Sequence, residues 1–190
     1  MSPPPAPTQR DLLVETGARI FHERGYTATG VRQVAAAADV PLGSFTNHFR
    51  SKERFALVVL EHYVGRLDRI MQATLNDTSH PPARRIEAYF DAIERALDEH
   101  DWGVGCLIPD LATETPAHSA LLRGALAEVL ERQTAAFAAV LRDLAEPGDA
   151  DDLAAVLLAA WHGTLLRMKV ERSSAPVARF RRTLRRLLLA

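Results

Sequence analysis

The sequence predicts an all-α protein, and three observations lead to this fold class. Its 190 residues include 31 Ala and 25 Leu against 13 Val and 5 Ile, so good helix formers far outnumber the β-branched residues that favour strands. Apolar residues recur at the spacing of one helix face. Prolines stand at or before several predicted helix starts, where they are tolerated. We expect nine helices and no strands, near residues 9–24, 31–38, 42–49, 52–75, 83–99, 104–113, 116–144, 150–172 and 176–189.

Composition excludes several classes of protein. A formal net charge of -1 excludes a uniformly basic nucleic-acid coat, and the single cysteine, Cys106, excludes an internal disulfide. The longest strongly apolar stretch, residues 153–166, is shorter than the ~20 residues that a bilayer span needs. The first nine residues lack the apolar core of a signal peptide. We therefore expect a cytoplasmic protein without a membrane partner.

Charge is distributed unevenly along the chain. Residues 1–60 carry a net charge of +2, residues 61–171 a net charge of -9, and residues 172–190 six arginines with no acid. An acidic middle between two basic ends indicates separate functions along the sequence. Four prolines in residues 1–7 predict a disordered arm.

Capping and turn residues define the first helices. Thr8 is expected to cap the first helix, with Asp11 in its first turn. Gly25 and Asp39 stand where the chain needs the left-handed αL conformation. Ser51 is expected to cap the long fourth helix.

The second and third helices have the geometry of a helix-turn-helix. Each has about eight residues, and Asp39-Val40-Pro41 separates them. The third helix would enter the DNA major groove, with Phe45 and Phe49 facing inward. Its exposed side chains can reach base edges and phosphates, and they belong to Leu42, Ser44, Thr46, Asn47 and His48. An ordinary three-helix core is the alternative.

The stretch 16–60 also resembles the DNA-binding domain of the TetR family of repressors. The order and spacing of the matching residues require no insertion or deletion. These residues are Ile20-Phe21, Arg24-Gly25-Tyr26, Thr29, Val31-Arg32, Val34-Ala35, Ala38, Val40, Gly43-Ser44-Phe45, Asn47-His48-Phe49 and Ser51-Lys52-Glu53. The resemblance implies a double-stranded DNA operator as partner. It implies DNA contacts from Thr29, Arg32, Leu42, Gly43, Ser44, Thr46, Asn47, His48 and Lys52.

Three positions depart from the family's usual residues. The family often has Tyr at the position of Thr46, Ser or Thr at that of Gly30, and Gly at that of Asp39. Loss of a phenol at Thr46 would remove one phosphate contact. We expect residues 8–54 to form the DNA-binding domain and residues 55–190 a helical ligand-binding and dimerisation domain.

The last two predicted helices have continuous apolar stripes. A pair of such helices can pack on its own domain and also on a second copy, and a dimeric helix-turn-helix protein reads a pseudopalindrome. The resemblance implies dimerisation through these two helices. The expected homodimer residues are Val156, Ala160, Val177, Phe180, Leu184 and Leu188; the alternative is that both stripes belong to the domain's own core.

Apolar and aromatic residues of several helices are candidates for an effector chamber. Walls of this composition with few polar groups suit a small molecule, although most such residues would be core in any helical domain. The candidates are Tyr63, Phe90, Trp102, Trp161 and Leu165.

Cys106 is the most distinctive position outside the DNA-binding domain. It lies near the start of a short predicted helix, which favours the thiolate, but a lone cysteine is more often a small apolar residue. Residues 105–108, 111–114 and 161–173 resemble the TetR subgroup of the NemR and AcuR repressors. That resemblance implies a sensing thiol at Cys106 and a nearby amine at Lys169. Covalent reaction with an electrophile and reversible binding of a small acid both remain open.

Enzyme function has little support in the sequence. No zincin, P-loop, dinucleotide-binding or nucleophile-elbow motif is present, and the histidines lack metal-ligand spacing. We expect no cofactor and no metal. The alternative function is a helical small-molecule-binding or catalytic protein without specific DNA binding.

Overall fold

The computed structural model describes residues 6–99, 102, 105–144 and 148–188. Within these ranges it contains nine α-helices and no strand, which confirms the predicted fold class. Every predicted helix is present, and the ends agree to within a few residues. The helices are α1 (Gln9–Arg24), α2 (Val31–Ala37), α3 (Leu42–His48), α4 (Lys52–Thr74), α5 (Pro82–Asp98), α6 (Leu107–Glu114), α7 (Ala120–Leu141), α8 (Ala150–Glu171) and α9 (Ala175–Leu188).

The helix ends follow local side-chain chemistry. The Thr8 hydroxyl accepts from the Asp11 amide at 3.2 Å, and the Asp11 carboxylate accepts from the Thr8 amide at 3.0 Å, as a capping box requires. Ser51 accepts the Arg54 amide at 3.1 Å. Asp39 has the expected positive φ of 53°. Gly25 also has a positive φ, 80°, but its ψ of 166° is extended, so the αL prediction for this residue is wrong.

The chain divides into two compact units. The first takes the described part of Met1–Val64 together with Leu107–Leu126, and the second takes the described parts of Gly65–Cys106 and Ala127–Ala190. Helices α4 and α7 each contribute to both units. The first unit therefore includes α6, although the predicted domain boundary after residue 54 placed this helix in the C-terminal domain. Residues 1–5 of the predicted arm lie outside the described residues.

Four phenylalanines form the centre of the first unit. The Phe55 ring contacts those of Phe21, Phe45 and Phe49, with centroid distances of 5.8, 5.0 and 4.8 Å. Gly17 lies beneath Phe55, where an added Cβ would overlap the ring. This cluster holds α1, α3 and the first turn of α4 in fixed positions.

The second unit is built around Phe90 on α5. Its ring lies 5.0 Å from that of Trp161 on α8 and 5.0 Å from that of Phe180 on α9. Arg181 is 5% exposed, and its guanidinium is paired with Asp91 and, at 3.7 Å, with Glu94. Helix α9 is thus attached to α5 by an aromatic cluster and by ion pairs from a buried arginine.

Helix α8 has two apolar faces. In the described part of the chain, α8 is the one helix that is long and apolar enough to cross a membrane. The prediction from sequence considered only its uninterrupted apolar run, residues 153–166, which is shorter than a membrane span. A single helix of this kind is also common in protein cores. Leu158 and Leu165 are buried, whereas Val156 is 68% and Val170 is 77% exposed. The composition of α8 therefore reflects one face in the core and a second apolar face in solvent.

Candidate functional site

Helix α3 presents a polar surface on a buried aromatic base. Phe45 and Phe49 are 2% and 3% exposed, as their predicted inward orientation requires. Ser44 is half-buried, and the Thr46 hydroxyl donates to the Gly43 carbonyl at 2.9 Å. The exposed residues of this surface are Leu42, Gly43, Thr46, Asn47 and His48.

Thr29 and Arg32, both predicted to contact DNA, have different environments. Arg32 is exposed on α2. Thr29 is 2% exposed, and its hydroxyl donates to the Gly25 carbonyl at 2.7 Å. The hydroxyl is therefore buried and bonded within the chain, and the contact of Thr29 with DNA stays a prediction. Thr29 stabilises the turn between α1 and α2.

Lys52, at the start of α4, is half-buried against that same turn. Its Nζ donates to the Thr27 carbonyl at 3.3 Å and lies 4.3 Å from the centroid of the Tyr26 ring. Burial lowers the pKa of Lys52, and the negative charge of Glu114 opposes this shift. Burial raises the pKa of the Tyr26 phenol, with a further contribution from the charge of Glu53. The ammonium is therefore oriented by the turn rather than free in solvent.

An open hollow lies between α8 and α9 in the second unit. It has a volume of about 440 Å³ and is lined by Thr164, Arg167, Pro176, Arg179, Phe180 and Thr183. Arg167 and Arg179 both pair with the Glu171 carboxylate, at 2.8 and 3.1 Å. The hollow thus lies on the outer face of the two helices.

The predicted dimer residues divide into two groups. Val156 and Ala160 are exposed on α8, and Phe180 and Leu188 are half-buried. Val177 and Leu184, however, are 0% and 3% exposed. Both side chains are thus enclosed by their own unit within one chain, and their place in an interface stays a prediction.

Comparison with known proteins assigns the family. The model of the bacterial regulatory proteins of the tetR family matches residues 13–59, and that of the LmrA/YxaF-like transcriptional regulator C-terminal domain matches residues 82–183. The HTH-type transcriptional repressor DhaR of Mycobacterium sp. (strain GP1) is 41% identical over 90% of this chain and 87% of its own. The chain belongs to the TetR family. It is a transcriptional repressor of this family and not an enzyme.

Two other TetR-family proteins match over nearly the whole chain. The transcriptional regulator AcuR of Cereibacter sphaeroides is 33% identical over 95% of this chain and 85% of its own. The crystal structure of Escherichia coli NemR in its reduced form has a TM-score of 0.81 and 29% identity, and the match covers 93% of this chain and 94% of that one. The predicted subgroup is thereby confirmed.

In this TetR-family chain, Cys106 directly precedes α6. Its side chain is half-buried at the end of the second unit. The Lys169 side chain lies close by, because a Cβ on Gly105 would come to 2.6 Å from Lys169 Cδ. The structure therefore brings the predicted thiol and the predicted amine into one neighbourhood.

The other predicted effector residues have different environments. Phe90, Trp161 and Leu165 are buried in the core of the second unit. Trp102 is half-buried, with a positive φ of 56°. Tyr63 belongs to the first unit, where its ring lies 5.4 Å from that of His22.

Two further polar residues are buried in the second unit: the sequence made Tyr89 a candidate for the wall of the chamber, but it did not single out Gln133. Tyr89 is 2% exposed; burial raises the pKa of its phenol strongly, and the charges of Cys106 and Asp68 raise it further. Gln133 is 4% exposed, and its Oε1 has no hydrogen-bond partner among the described residues. Gln133 stands within the apolar stripe of α7 between Val129 and Phe137. A buried amide at such a position was the signal that could have identified it.

The described residues contain no group of three or more His, Cys, Asp or Glu side chains that could hold a metal ion.

Proposed function

We propose that the chain binds a pseudopalindromic operator as a homodimer and is released when a small molecule or an electrophile acts on the second unit. The observation that carries the DNA-binding proposal is the exposed polar surface of α3 on its buried base of Phe45 and Phe49. In a dimer, two such helices would enter successive major grooves ~34 Å apart. A coupling free energy of about 1–3 kcal/mol between effector and operator would give ~5–150-fold release.

The homodimer is supported by the outer face of α8. Leu153, Val156, Ala160 and Gly163 lie along one line of the helix at alternating spacings of three and four residues, and Val170 continues this line beyond the exposed Arg167. Leu153, Val156 and Val170 are 48%, 68% and 77% exposed within one chain. Soluble proteins rarely leave so large an apolar surface in water, and a two-fold axis would bring two copies of it together.

The effector proposal rests on the environment of Cys106. An electrophilic alkene would add to its sulfur: a C–S bond forms, the C=C bond becomes a single bond, the thiol proton ends on the adjacent carbon, and nothing leaves. A reversible alternative is a small unsaturated acid bound in the same place with its carboxylate on Lys169 or Arg167. We place the protein in the cytoplasm, where cysteines stay reduced.

Selection from a random duplex library tests the DNA-binding proposal. The wild-type chain should enrich a pseudopalindromic sequence and bind it at least ~10³-fold more tightly than random duplex, as specific regulators do. Light scattering of the complex should give two chains per site or a multiple of two. Failure to enrich any sequence, with weak binding that does not depend on salt, would contradict the proposal.

A further inference from the structure

The last residue of α6 bonds to the turn that precedes α2. The Glu114 side chain accepts two consecutive backbone N–H groups: Tyr26 N lies 3.1 Å from Oε1, and Thr27 N lies 2.6 Å from Oε2. The partners are 88 and 87 residues apart in sequence but belong to the same unit. Each carboxylate oxygen thus has its own amide donor, and hydrogen bonds of this charged type are stronger than neutral ones.

The turn is shaped to receive this carboxylate. Gly25 has a φ of 80°, and an added Cβ there would overlap Glu114 Oε1. Glycine is therefore required for the backbone conformation and for the approach of the carboxylate. Successive amides that point into one concavity are a typical anion site, and here the anion is a side chain of the same unit.

The same turn also holds the expected DNA-contacting groups. Lys52 Nζ donates to the Thr27 carbonyl at 3.3 Å, so Thr27 is bonded to Glu114 through its N–H and to Lys52 through its C=O. Thr29 closes the turn by donating to Gly25, and α2 begins two residues later. The position of this peptide therefore fixes both the ammonium of Lys52 and the start of the helix that carries Arg32.

We infer that Glu114 is a positioning residue for DNA binding. Its carboxylate holds the turn in the conformation that presents Lys52 and Arg32 to phosphate groups. This inference rests on the proposed function. A negative charge so close to Lys52 would ordinarily weaken attraction to DNA. If Glu114 acted only through its charge, its removal would therefore strengthen DNA binding. If it orders the turn, its removal should weaken DNA binding.

Two substitutions of Glu114 separate these roles. Glu114→Ala removes both acceptors. Glu114→Gln keeps one acceptor and puts an NH₂ donor against the other amide. Glu15→Ala is the matched control. Glu15 is exposed on α1 of the same unit, and its substitution removes the same charge. The DNA probes are the duplex that wild type selects from a random library and a duplex of random sequence.

We expect both Glu114 variants to bind the two duplexes roughly tenfold more weakly, given the strength of charge-assisted hydrogen bonds. The slope of log affinity against log salt concentration should decrease by the contribution of about one phosphate contact, because Lys52 is no longer held in place. Glu15→Ala should bind as tightly as wild type or more tightly. In ¹⁵N-labelled protein, the Thr27 amide proton should move upfield in both Glu114 variants.

A double-mutant cycle with Lys52→Ala provides the decisive comparison. Glu114→Ala should weaken binding much less in the Lys52→Ala background, because the two residues act through one turn. Equal effects in both backgrounds, or tighter DNA binding by Glu114→Gln, would overturn the inference. If Glu114→Ala does not fold by circular dichroism, Glu114→Gln carries the same test. Wild type that selects no duplex would instead overturn the proposed function itself.

Discussion

The side chain of Lys169 lies against the backbone of Gly105, so that a Cβ built on this glycine would come to 2.6 Å from Lys169 Cδ. The glycine leaves room for the aliphatic part of the lysine one residue before the only cysteine of the chain. A nearby ammonium stabilises a thiolate. Lys169 is thus placed to influence the reactivity of Cys106.

The first prediction concerns that reactivity. Lys169→Met should slow the reaction of Cys106 with N-ethylmaleimide severalfold at neutral pH, because an adjacent positive charge favours the nucleophilic thiolate. Arg167→Met is the control, because it removes a cation from the same helix whose guanidinium bonds to Glu171. Mass spectrometry gives the rate of adduct formation, and Cys106→Ser gives the background. Equal rates for wild type and Lys169→Met would exclude Lys169 as the activating amine.

The second prediction concerns base reading by α3. Asn47→Ala should reduce discrimination between the selected operator and a singly mutated one by about 1–3 kcal/mol, the typical contribution of a side chain that reads a base. Arg32→Ala should instead weaken binding to all duplexes alike and lower the salt slope by about one. Fluorescence anisotropy at several salt concentrations measures both. If Asn47→Ala changes neither affinity nor discrimination, Asn47 does not face the bases.

The third prediction concerns assembly. Val156→Arg places a charge on the exposed apolar face of α8, and an unpaired charge buried in an interface costs several kcal/mol. We expect a folded monomer by light scattering and circular dichroism, with operator binding reduced in parallel. Ala73→Arg, at an exposed position of α4, is the control and should remain dimeric. Leu184→Arg should unfold the second unit, because Leu184 is 3% exposed within one chain. A dimeric Val156→Arg variant would locate the interface elsewhere.

Local signals predicted most of the fold. Thr8, Ser51 and Asp39 act at helix ends through their own side chains or backbone, so their roles could be inferred from neighbouring residues alone. The three- and four-residue periodicity predicted that Phe45 and Phe49 face the core. The family resemblance located the helices of the first domain along the sequence. These features need no knowledge of distant contacts.

Long-range contacts were not predictable from the sequence. Glu114 meets Tyr26 across 88 residues, and no periodicity marks that pairing. Thr29 matched a DNA-contacting position in the family, yet its hydroxyl bonds to Gly25 inside the turn. Val177 and Leu184 share the apolar stripe of α9 with Leu187, but the packing of α9 in the second unit buries the first two and leaves Leu187 71% exposed. A stripe indicates which residues avoid water, and only the fold shows which surface covers them.

The fourth prediction concerns packing in the first unit. Gly17→Ala should destabilise the protein by about 1–3 kcal/mol, because the new methyl group would overlap the buried Phe55 ring. Gly124→Ala, in α7 with no atom within 4 Å of the new Cβ, should stabilise by ~0.5–1 kcal/mol through the higher helix propensity of alanine. Urea unfolding followed by circular dichroism measures both. Equal stability changes in the two variants would contradict the tight contact between α1 and α4.

The fifth prediction concerns pH. Burial lowers the pKa of His162 on α8 below its ordinary value of 6.5, because the surroundings disfavour the imidazolium. The unfolded chain then binds more protons than the folded chain at pH values between these two pKa values. The contribution of His162 to stability is therefore fully present above pH 6.5 and is lost as the pH falls below that value. In wild type the free energy of unfolding should decline on acidification through this window, and in His162→Leu it should decline less. The difference between the two curves isolates His162 from the other histidines, which titrate in both proteins. Urea unfolding at a series of pH values gives the two curves, and parallel curves would show that His162 is solvated in the folded protein.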